Sequence, residues 1–476
     1  MSPTERLERI EQDQQAMFVD QEPVTGELSL AEAIGRGLKY NLEARVRRME
    51  TALALGQTEL SSYDMLPQLA ASAGYTRRSN VLASRSEIVD ASSVPSFAST
   101  SQDREQTTAE VELVWNLLDF GVSFYTAKQD ADRRLIAEQR REKVVNKLIQ
   151  DIRSSYWRVA AAQQVEKQLE IVLQDARDSL DDARRIETER LRSPIQSLRV
   201  QRSLLSLIEQ LETLESELKV ARTQLSELAG LKPGTEYRVD ESVVLAFQPV
   251  RFEADIENLE RTALMNRPEI LEESYNHRIA QRESRKALLR MLPGLEFFAS
   301  YNYSSNSYLL NNEWGEVGAM VNWNLFNLFS GPAAMDLAEQ RELLAERRRQ
   351  ALSMAVLAQV NLAMHQYGTE LGKYERAQEM ARIDGRINEV TAIGVENSAG
   401  SRMDQVNAET TALMSELKRL RAAAAVQDAY GKVMTAIGVS LAPEAIEDNS
   451  LQSVTQAVSA RLETLERGPE AVVDSI

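Results

Sequence analysis

The 476-residue sequence contains no cysteine, only two histidines and few aromatic residues, 6% of the chain. The lack of cysteine excludes disulfides, thiol catalysis, cysteine metal sites and a lipid-bearing N-terminal cysteine on the sequence as given. His277 and His365 lie in charged helical contexts without a second candidate ligand, so we expect ordinary helix positions rather than a metal site. No Ser/His/Asp arrangement or glycine-rich phosphate loop occurs, so we expect neither enzymatic activity nor a cofactor.

The sequence also lacks any long apolar run, and a helix needs roughly 18 or more apolar residues to cross a bilayer. A chain of this type can therefore enter a bilayer only with β-strands. The formal net charge of −17 repels polyanions, so we do not expect nucleic-acid binding. Residues 1–18 have no apolar h-region, so this is not a signal peptide: an export signal has been removed, the start is truncated, or the protein stays inside the cell.

The chain contains an internal duplication. The segment "DMLPQLAASAGYTRRSN" at 64–80 matches "RMLPGLEFFASYNYSSN" at 290–306, an offset of 226 residues. "WNLLDFG" at 115–121 matches "WNLFNLFSG" at 323–331, and this second offset of 208 residues also relates Gly230 to Gly438. The second copy is therefore 18 residues shorter between the two motifs, where we expect a loop.

The duplication divides the chain into five parts. These are an N-terminal extension (1–27), a first repeat (28–230), a connector (231–254), a second repeat (255–440) and an acidic C-terminal tail (441–476). Each repeat is predicted to hold a helix, a β-hairpin (68–118 and 294–326) and a long helix pair (121–230 and 331–438). Residues 237–247 could add short strands, and Ser330 before Pro332 predicts the start of a helix.

The second helix of each pair carries a heptad seam. Leucine and alanine recur at alternating spacings of three and four at Leu204, Leu207, Leu211, Leu214, Leu218, Ala221, Leu225 and Leu228, and again at Leu413, Leu417, Leu420 and Ala424. This spacing is typical of a coiled coil, in which a narrow apolar stripe is buried and the other faces stay in water.

Four segments of about ten residues alternate apolar and polar side chains, with tyrosine or tryptophan near their ends. This pattern is typical of transmembrane β-barrel strands, although one such segment alone would equally suit a half-buried strand of a soluble sheet. Four strands cannot close a barrel, because the smallest transmembrane barrels have about eight. The chain must then oligomerise, and the spacing alone does not choose between two copies and three.

The order of "LSLAEAIGRGLKYN", "MLPQLAASAGY", "LVWNLLDFG" and "VNWNLFNLFSG" resembles the TolC-type outer-membrane efflux protein family over about residues 28–440. The resemblance implies a mostly α fold with a β-barrel part, a trimer in which each chain gives four transmembrane β-strands and long periplasmic coiled-coil helices. It implies a passive exit duct for efflux or type I secretion in the outer membrane of a Gram-negative bacterium. A periplasmic adaptor (membrane fusion) protein would join it to an inner-membrane transporter.

The alternative is a soluble coiled-coil scaffold or interaction protein with β-hairpins. A scaffold accounts for the helices, but it gives no reason for aromatic-bounded strands of equal length in two copies. If the strands form a barrel, its lumen would be lined by Glu110, Glu112, Glu296 and Glu316. The lipid-facing belt would comprise Trp115, Trp323, Tyr75, Tyr301 and Tyr303. The glutamates could instead be solvated surface residues.

The resemblance also implies a gate at the periplasmic end, where family members carry acidic rings. "GSRMDQVNAETTAL" at 400–413 aligns with that region, with Asp404 on the first acidic position and Asn407 where a second acid would stand. Candidate gate partners are Arg402, Arg190 and Arg192, and candidate adaptor-docking positions are Ser193, Gly400 and Ser401. Each of these residues could instead be part of an ordinary solvated surface.

Overall fold

The computed structural model describes residues 2–18, 21–85, 97–189, 194–250, 252, 255–397, 402–443, 446 and 448–466. Its helices are α1 (Pro3–Phe18), α2 (Leu30–Tyr40), α3 (Leu42–Tyr63), α4 (Leu117–Thr188), α5 (Pro194–Leu228), α6 (Ser242–Leu245), α7 (Ile256–Asn266), α8 (Pro268–Leu289), α9 (Asn327–Glu396), α10 (Arg402–Ala436) and α11 (Leu451–Glu466). Its strands are β1 (Glu27–Leu28), β2 (Gln68–Arg77), β3 (Ala83–Arg85), β4 (Ala98–Thr100), β5 (Glu105–Asn116), β6 (Arg238–Val239), β7 (Gly294–Ser304) and β8 (Glu313–Asn322).

The chain divides into two units. The first unit comprises the described parts of residues 1–51, 137–272 and 350–476. The second comprises the described parts of residues 52–136 and 273–349, and it contains β2 to β5, β7 and β8.

The helices recur at the offsets found in the sequence. Helices α3 and α8 each have 22 residues and begin 226 positions apart, at Leu42 and Pro268. Helices α5 and α10 each have 35 residues and begin 208 positions apart. The predicted cap at Ser330 is wrong, because α9 begins at Asn327 and encloses Pro332. The Asn324 side chain accepts a hydrogen bond from the Phe326 amide (3.1 Å), and this turn starts the helix earlier.

The predicted seams form the core of the first unit. In α5, Leu204, Leu211, Leu214, Leu218 and Leu225 are buried, and Leu413, Leu417, Leu420 and Ala424 are buried in α10. The seam prediction is therefore confirmed. Polar contacts flank it: Arg222 of α5 donates two hydrogen bonds, of 3.0 and 2.8 Å, to the Glu166 carboxylate of α4.

A two-stranded parallel sheet, β1 with β6, lies against α4 in the first unit. The Gln163 side-chain amide bonds to the backbone of β6 as a neighbouring strand would. It accepts a hydrogen bond from the Val239 N–H (3.1 Å) and donates one to the Val239 carbonyl (2.9 Å). The buried Tyr156 hydroxyl lies 2.9 Å from the Leu28 carbonyl and 3.0 Å from that of Asp240. These contacts join the segment before α2 to the connector.

The connector contains one short strand, β6, and one turn of helix, α6, where the sequence allowed short strands over 237–247. Its aromatic residues pack edge-on against long helices, with Phe247 between Trp157 and Tyr374. Phe252 meets Tyr367, whose hydroxyl donates to the Val250 carbonyl. Burial raises the pKa of Tyr367 to about 12, so the phenol stays protonated as this donor requires.

The predicted C-terminal tail includes helix α11, which was not predicted from the sequence. Helix α11 packs closely on α2, because a Cβ at Gly35 would lie 2.9 Å from the Thr455 hydroxyl oxygen. The Tyr430 hydroxyl of α10 donates to the Leu465 carbonyl (2.5 Å). Arg36 of α2 is fully buried and donates to the carbonyls of Glu22 (2.7 Å) and Pro23 (2.9 Å). The terminal segments are thus bound to the helical core.

Helices α5 and α10 end in the same glycine-terminated turn. After α5, the Leu231 amide donates to the Ser226 carbonyl (2.7 Å), and after α10 the Val439 amide donates to the Met434 carbonyl (3.0 Å). Gly230 and Gly438 have φ of +73° and +78°, which suits glycine at the C′ position of a Schellman turn. Each glycine lies against a junction between two helices. A Cβ at Gly230 would be 2.9 Å from Tyr40 Cβ, at the end of α2, and a Cβ at Gly438 would be 2.8 Å from the Arg267 nitrogen, between α7 and α8.

We expect Gly230→Ala and Gly438→Ala each to lower the free energy of unfolding by about 1–3 kcal/mol, because a side chain is strained at positive φ and also meets the adjoining helix. The matched control is Gly368→Ala in α9, where no atom lies within 4 Å of the added Cβ. That change should stabilise the helix by about 0.5–1 kcal/mol. Thermal unfolding followed by circular dichroism measures all three; equal effects at the three positions would contradict this account of the turns.

Candidate functional site

The second unit contains a four-stranded antiparallel sheet with the strand order β2-β5-β7-β8. Each repeat contributes one hairpin, and the two hairpins meet where β5 pairs with β7. The register places Val111 opposite Ala71 on one side and Tyr301 on the other. Odd-numbered residues of all four strands therefore share one face, and even-numbered residues share the other.

The odd-numbered face is apolar and exposed. Val317 is 82% exposed, Leu69 72% and Val321 66%, and Val111 and Leu113 are also exposed. Exposed apolar patches of this kind mark protein or membrane interaction surfaces. The face therefore requires an apolar neighbour outside the described residues of this chain.

Aromatic side chains lie at both ends of this face. Trp115 pairs with Phe297 near the helix ends of the strands, whereas Tyr75, Tyr301 and Tyr303 lie towards the loops. All five are exposed, and a row formed by Leu69, Leu113, Ala299 and Val317 separates Trp115 from Tyr301. Trp323 follows the last residue of β8, is exposed, and donates from Nε1 to the Met291 carbonyl (3.1 Å). Aromatic residues towards both ends of an apolar face are typical of transmembrane barrel strands.

The even-numbered face carries the predicted glutamates. Glu112 and Glu316 both lie opposite Ser300, and Glu110 lies opposite Asn302, so these three form one acidic patch. Glu296 lies further towards the helices, opposite Asn116 and Met320. The face is not wholly polar. The Phe298 ring covers Gly318, where a Cβ would lie 2.4 Å from the ring.

Both outer strands of the sheet are long. Strands β2 and β8 each have 10 residues, and within the described part of the chain neither pairs with another strand along its outer edge. An open edge presents a row of backbone donors and acceptors that favours pairing with another chain. The geometry thus permits the sheet to continue into other copies.

The repeated Trp-Asn motif starts the long helices. The Asn116 side chain accepts hydrogen bonds from the amides of Leu118 (3.0 Å) and Asp119 (3.3 Å). Asn324, 208 positions later, accepts from the Phe326 amide in the same way. The sequence comparison singled out the tryptophans and missed the asparagines, although the repeated pair "WN" was the available signal.

The hairpin loops are joined at the opposite end of the sheet. Buried Asn306 donates to the Ser101 carbonyl (2.9 Å) and accepts from the Asp103 amide (3.1 Å). The Ser307 hydroxyl donates to the Asp103 carboxylate (3.0 Å). These contacts hold the loops of the two repeats together.

A buried ionic cluster, which sequence reasoning missed, lies between α4 and α8 in the second unit. The Asp132 side chain is 2% exposed, accepts from Arg278 Nε (2.9 Å) and also pairs with Arg282. Buried Gln129 donates to the Ile279 carbonyl (3.0 Å) and accepts from Lys286 (3.1 Å). Because this polar network has specific partners, it fixes the alignment of α8 on α4.

The predicted gate lies at the start of α10 in the first unit. Asp404 is in the first turn, where the helix dipole favours a carboxylate, and Asn407 lies one turn further; both side chains are exposed. Val406 is buried, so the other side of this turn faces the protein. The predicted partners Arg190 and Arg192, the side chain of Arg402, and the docking positions Ser193, Gly400 and Ser401 lie outside the described residues.

No helix in the described part of the chain combines the length and hydrophobicity that a membrane-spanning helix requires. Among the same residues, no group of three or more histidine, aspartate and glutamate side chains is arranged to hold a metal ion.

Residues 36–231 match the family model described as outer membrane efflux protein. Solved channels share the fold. The Campylobacter jejuni CmeC outer membrane channel aligns at a TM-score of 0.69 and 14% identity, covering 90% of this chain and 89% of that one. The open Neisseria gonorrhoeae MtrE channel aligns at a TM-score of 0.66 and 14% identity, covering 88% of this chain and 94% of that one. The outer-membrane channel OprN aligns at a TM-score of 0.65 and 17% identity, covering 86% of this chain and 89% of that one.

No curated protein matches the chain. The resemblance to the TolC-type outer-membrane efflux protein family is confirmed by the family match and by the fold of the solved channels. The mostly helical fold with a four-stranded sheet agrees with that resemblance. Family and fold together support a component of an outer-membrane efflux channel.

We expect Asn116→Ala to lower the free energy of unfolding by about 1 kcal/mol, because α4 loses the acceptor for its first amides. Asn116→Ser keeps a side-chain oxygen acceptor and adds no charge opposite Glu296, so it should be close to neutral. Thermal unfolding of the purified protein compares the two variants. The capping role is excluded if serine destabilises as much as alanine.

Proposed function

We propose that the chain is one subunit of a trimeric channel in the outer membrane of a Gram-negative bacterium. Three copies would contribute four strands each to one closed barrel, and their long helices would form a conduit through the periplasm. The channel would be a passive exit duct for efflux or type I secretion rather than an enzyme. An adaptor protein would join it to an inner-membrane transporter.

The observation that carries this proposal is the sheet. It combines an exposed apolar face, aromatic side chains towards both ends of that face and two long outer edges in a single unit. In water such a sheet would expose both apolar surface and unpaired backbone groups. A closed barrel in lipid removes both costs, because lipid covers the apolar face and strands of other copies pair with the edges.

The rival function, a soluble coiled-coil scaffold, accounts for the buried seams of α5 and α10 equally well. It requires the apolar face to be covered by a protein partner rather than by lipid. The two functions differ in where the protein fractionates, since only the channel requires detergent for extraction.

The proposed lumen is the even-numbered face, with Glu110, Glu112 and Glu316 as an acidic patch that favours cations. The proposed lipid-facing belt comprises Trp115, Trp323, Tyr75, Tyr301 and Tyr303. Asp404, repeated by the symmetry of the trimer, would place several negative charges around the periplasmic opening. Arg402, Arg190 and Arg192 remain its proposed partners, and Ser193, Gly400 and Ser401 remain the proposed adaptor positions.

The test uses two neighbouring positions of β8 that point to opposite faces. Val317→Arg should abolish stable insertion, because an arginine facing lipid near the mid-plane costs about 2–4 kcal/mol in each copy. Glu316→Arg should insert normally and lower the cation preference of the channel. Fractionation of membranes, detergent extraction and conductance in planar bilayers measure these effects.

A wild-type protein that is recovered in buffer without detergent would support the scaffold and end the channel proposal. Normal insertion of Val317→Arg, with loss of insertion for Glu316→Arg, would show that the faces are reversed.

We expect Asp404→Ala to reduce the cation preference of the reconstituted channel, because it removes one charge per copy from the narrow opening. The matched control is Glu389→Ala, which removes a carboxylate that is 64% exposed from α9. Reversal potentials across a salt gradient measure the preference. If both variants behave as the wild type, Asp404 does not lie at the constriction.

A further inference from the structure

A cleft of about 340 Å³ lies in the first unit where α10 ends and α8 begins. Helices α4 and α9 contribute the remaining walls. The close approach of Gly438 to the Arg267 backbone brings the two helix ends together. The volume lies within the range of about 300–1,000 Å³ that is typical of small-molecule sites.

The cleft is lined by four cationic side chains and one carboxylate. The cations are Lys143, Lys147, Arg267 and Lys432, and the carboxylate is Glu269. Even with Asp428 beside Lys432 and Asp151 near Lys147, the four cations outnumber the three carboxylates, in a chain whose net charge is −17. An anion that is repelled by most of the surface would therefore be attracted here.

The single carboxylate is already occupied by protein cations. Glu269 lies 3.2 Å from Arg267 and 3.3 Å from Lys143. Burial alone would raise the pKa of Glu269, but the Arg267 guanidinium and Lys143 hold this pKa below its ordinary value. Glu269 thus lies between two cations, Arg267 and Lys143, and offsets the charge of one of them.

Lys147 and Lys432 are exposed at the cleft. Lys432 pairs with Asp428 at 2.6 Å, and Lys147 lies near Asp151. Lys432 lines the neighbouring groove together with Asp428, so an anion in the cleft would share the Lys432 ammonium with this carboxylate. Lys147 lines the cleft and not that groove, so it and the shared Lys432 present the positive charge that a ligand would meet.

The rest of the wall has a polar part, formed by Asn146, Gln150, Gln359, Gln366 and Thr435, and an apolar part. Buried Pro268, Ala363, Ala436 and Val439 line it, and Leu362, 56% exposed, lies at the surface of α9. An inorganic phosphate would leave this surface in contact with water. A molecule with one anionic group and an apolar body matches both parts of the wall.

We propose that this cleft binds an organic anion, with Lys147 and Lys432 neutralising its charge and with Leu362 and Pro268 contacting its apolar part. The site does not depend on the proposed channel function, because the complete chain in detergent should bind the ligand whether or not it conducts.

The test is isothermal titration of the purified full-length protein with three probes of similar shape, namely naphthalene-2-sulfonate, 2-naphthylmethanol and 2-naphthylmethylammonium, each corrected for an empty-micelle blank. The sulfonate should bind about tenfold more tightly than the alcohol, as expected for two nearby charges partly exposed to water. The ammonium should bind most weakly. Equal affinities for the three probes would overturn the proposal.

The variant Lys147→Gln/Lys432→Gln should remove the preference for the sulfonate, about a tenfold loss. The matched control, Lys219→Gln/Lys373→Gln, removes two exposed lysines elsewhere that each pair with a nearby glutamate at 2.7 Å. Leu362→Gln should weaken the sulfonate and the alcohol alike. If the control double variant loses as much affinity as the cleft variant, net charge rather than this cleft is responsible, and the site is rejected.

Discussion

The architecture of this protein depends on a sheet that exposes a continuous apolar face and two outer edges with which no strand of the described residues pairs. The four strands bury little on that face within the chain, as Val317 at 82% exposure shows. Their stability must therefore come from what surrounds them, whether lipid or other copies. Loops joined by Asn306 and Asp103 at one end, and helices capped by Asn116 and Asn324 at the other, hold the strands in register for that purpose.

The duplication supplies each of these features twice. Each copy gives one hairpin, one asparagine-capped long helix and one glycine-terminated returning helix. The copies differ in their additional contacts. In the first copy, Gln163 holds the β1–β6 pair, whereas the positively charged cleft lies at the Gly438 junction of the second copy. The duplication thus accounts for the hairpins and helices that the two copies share, whereas the β1–β6 contact and the cleft arise where the copies differ.

The features that the sequence predicted are those encoded by local periodicity. Alternation over ten residues identified the strands, and three-four spacing identified the seams of α5 and α10, because both patterns follow from one element's own geometry. Asp132 with Arg278, Gln163 with Val239, and fully buried Arg36 were not predicted, because each depends on a partner distant in sequence or on burial. The start of α9 was misplaced because the Asn324 turn precedes the more obvious Ser-Gly-Pro signal.

The two glycine turns carry an implication for how such chains can change in size. Helices α5 and α10 both span 35 residues, and each ends against a junction between two helices, α2 with α3 or α7 with α8. Adding one helical turn to α5 or α10 alone would move its terminal glycine away from the helix junction that it contacts, while the glycine of the other helix kept its contact. Insertions and deletions in α5 and α10 should therefore occur in pairs. In relatives with longer or shorter helices, we expect both helices to have changed by the same number of residues.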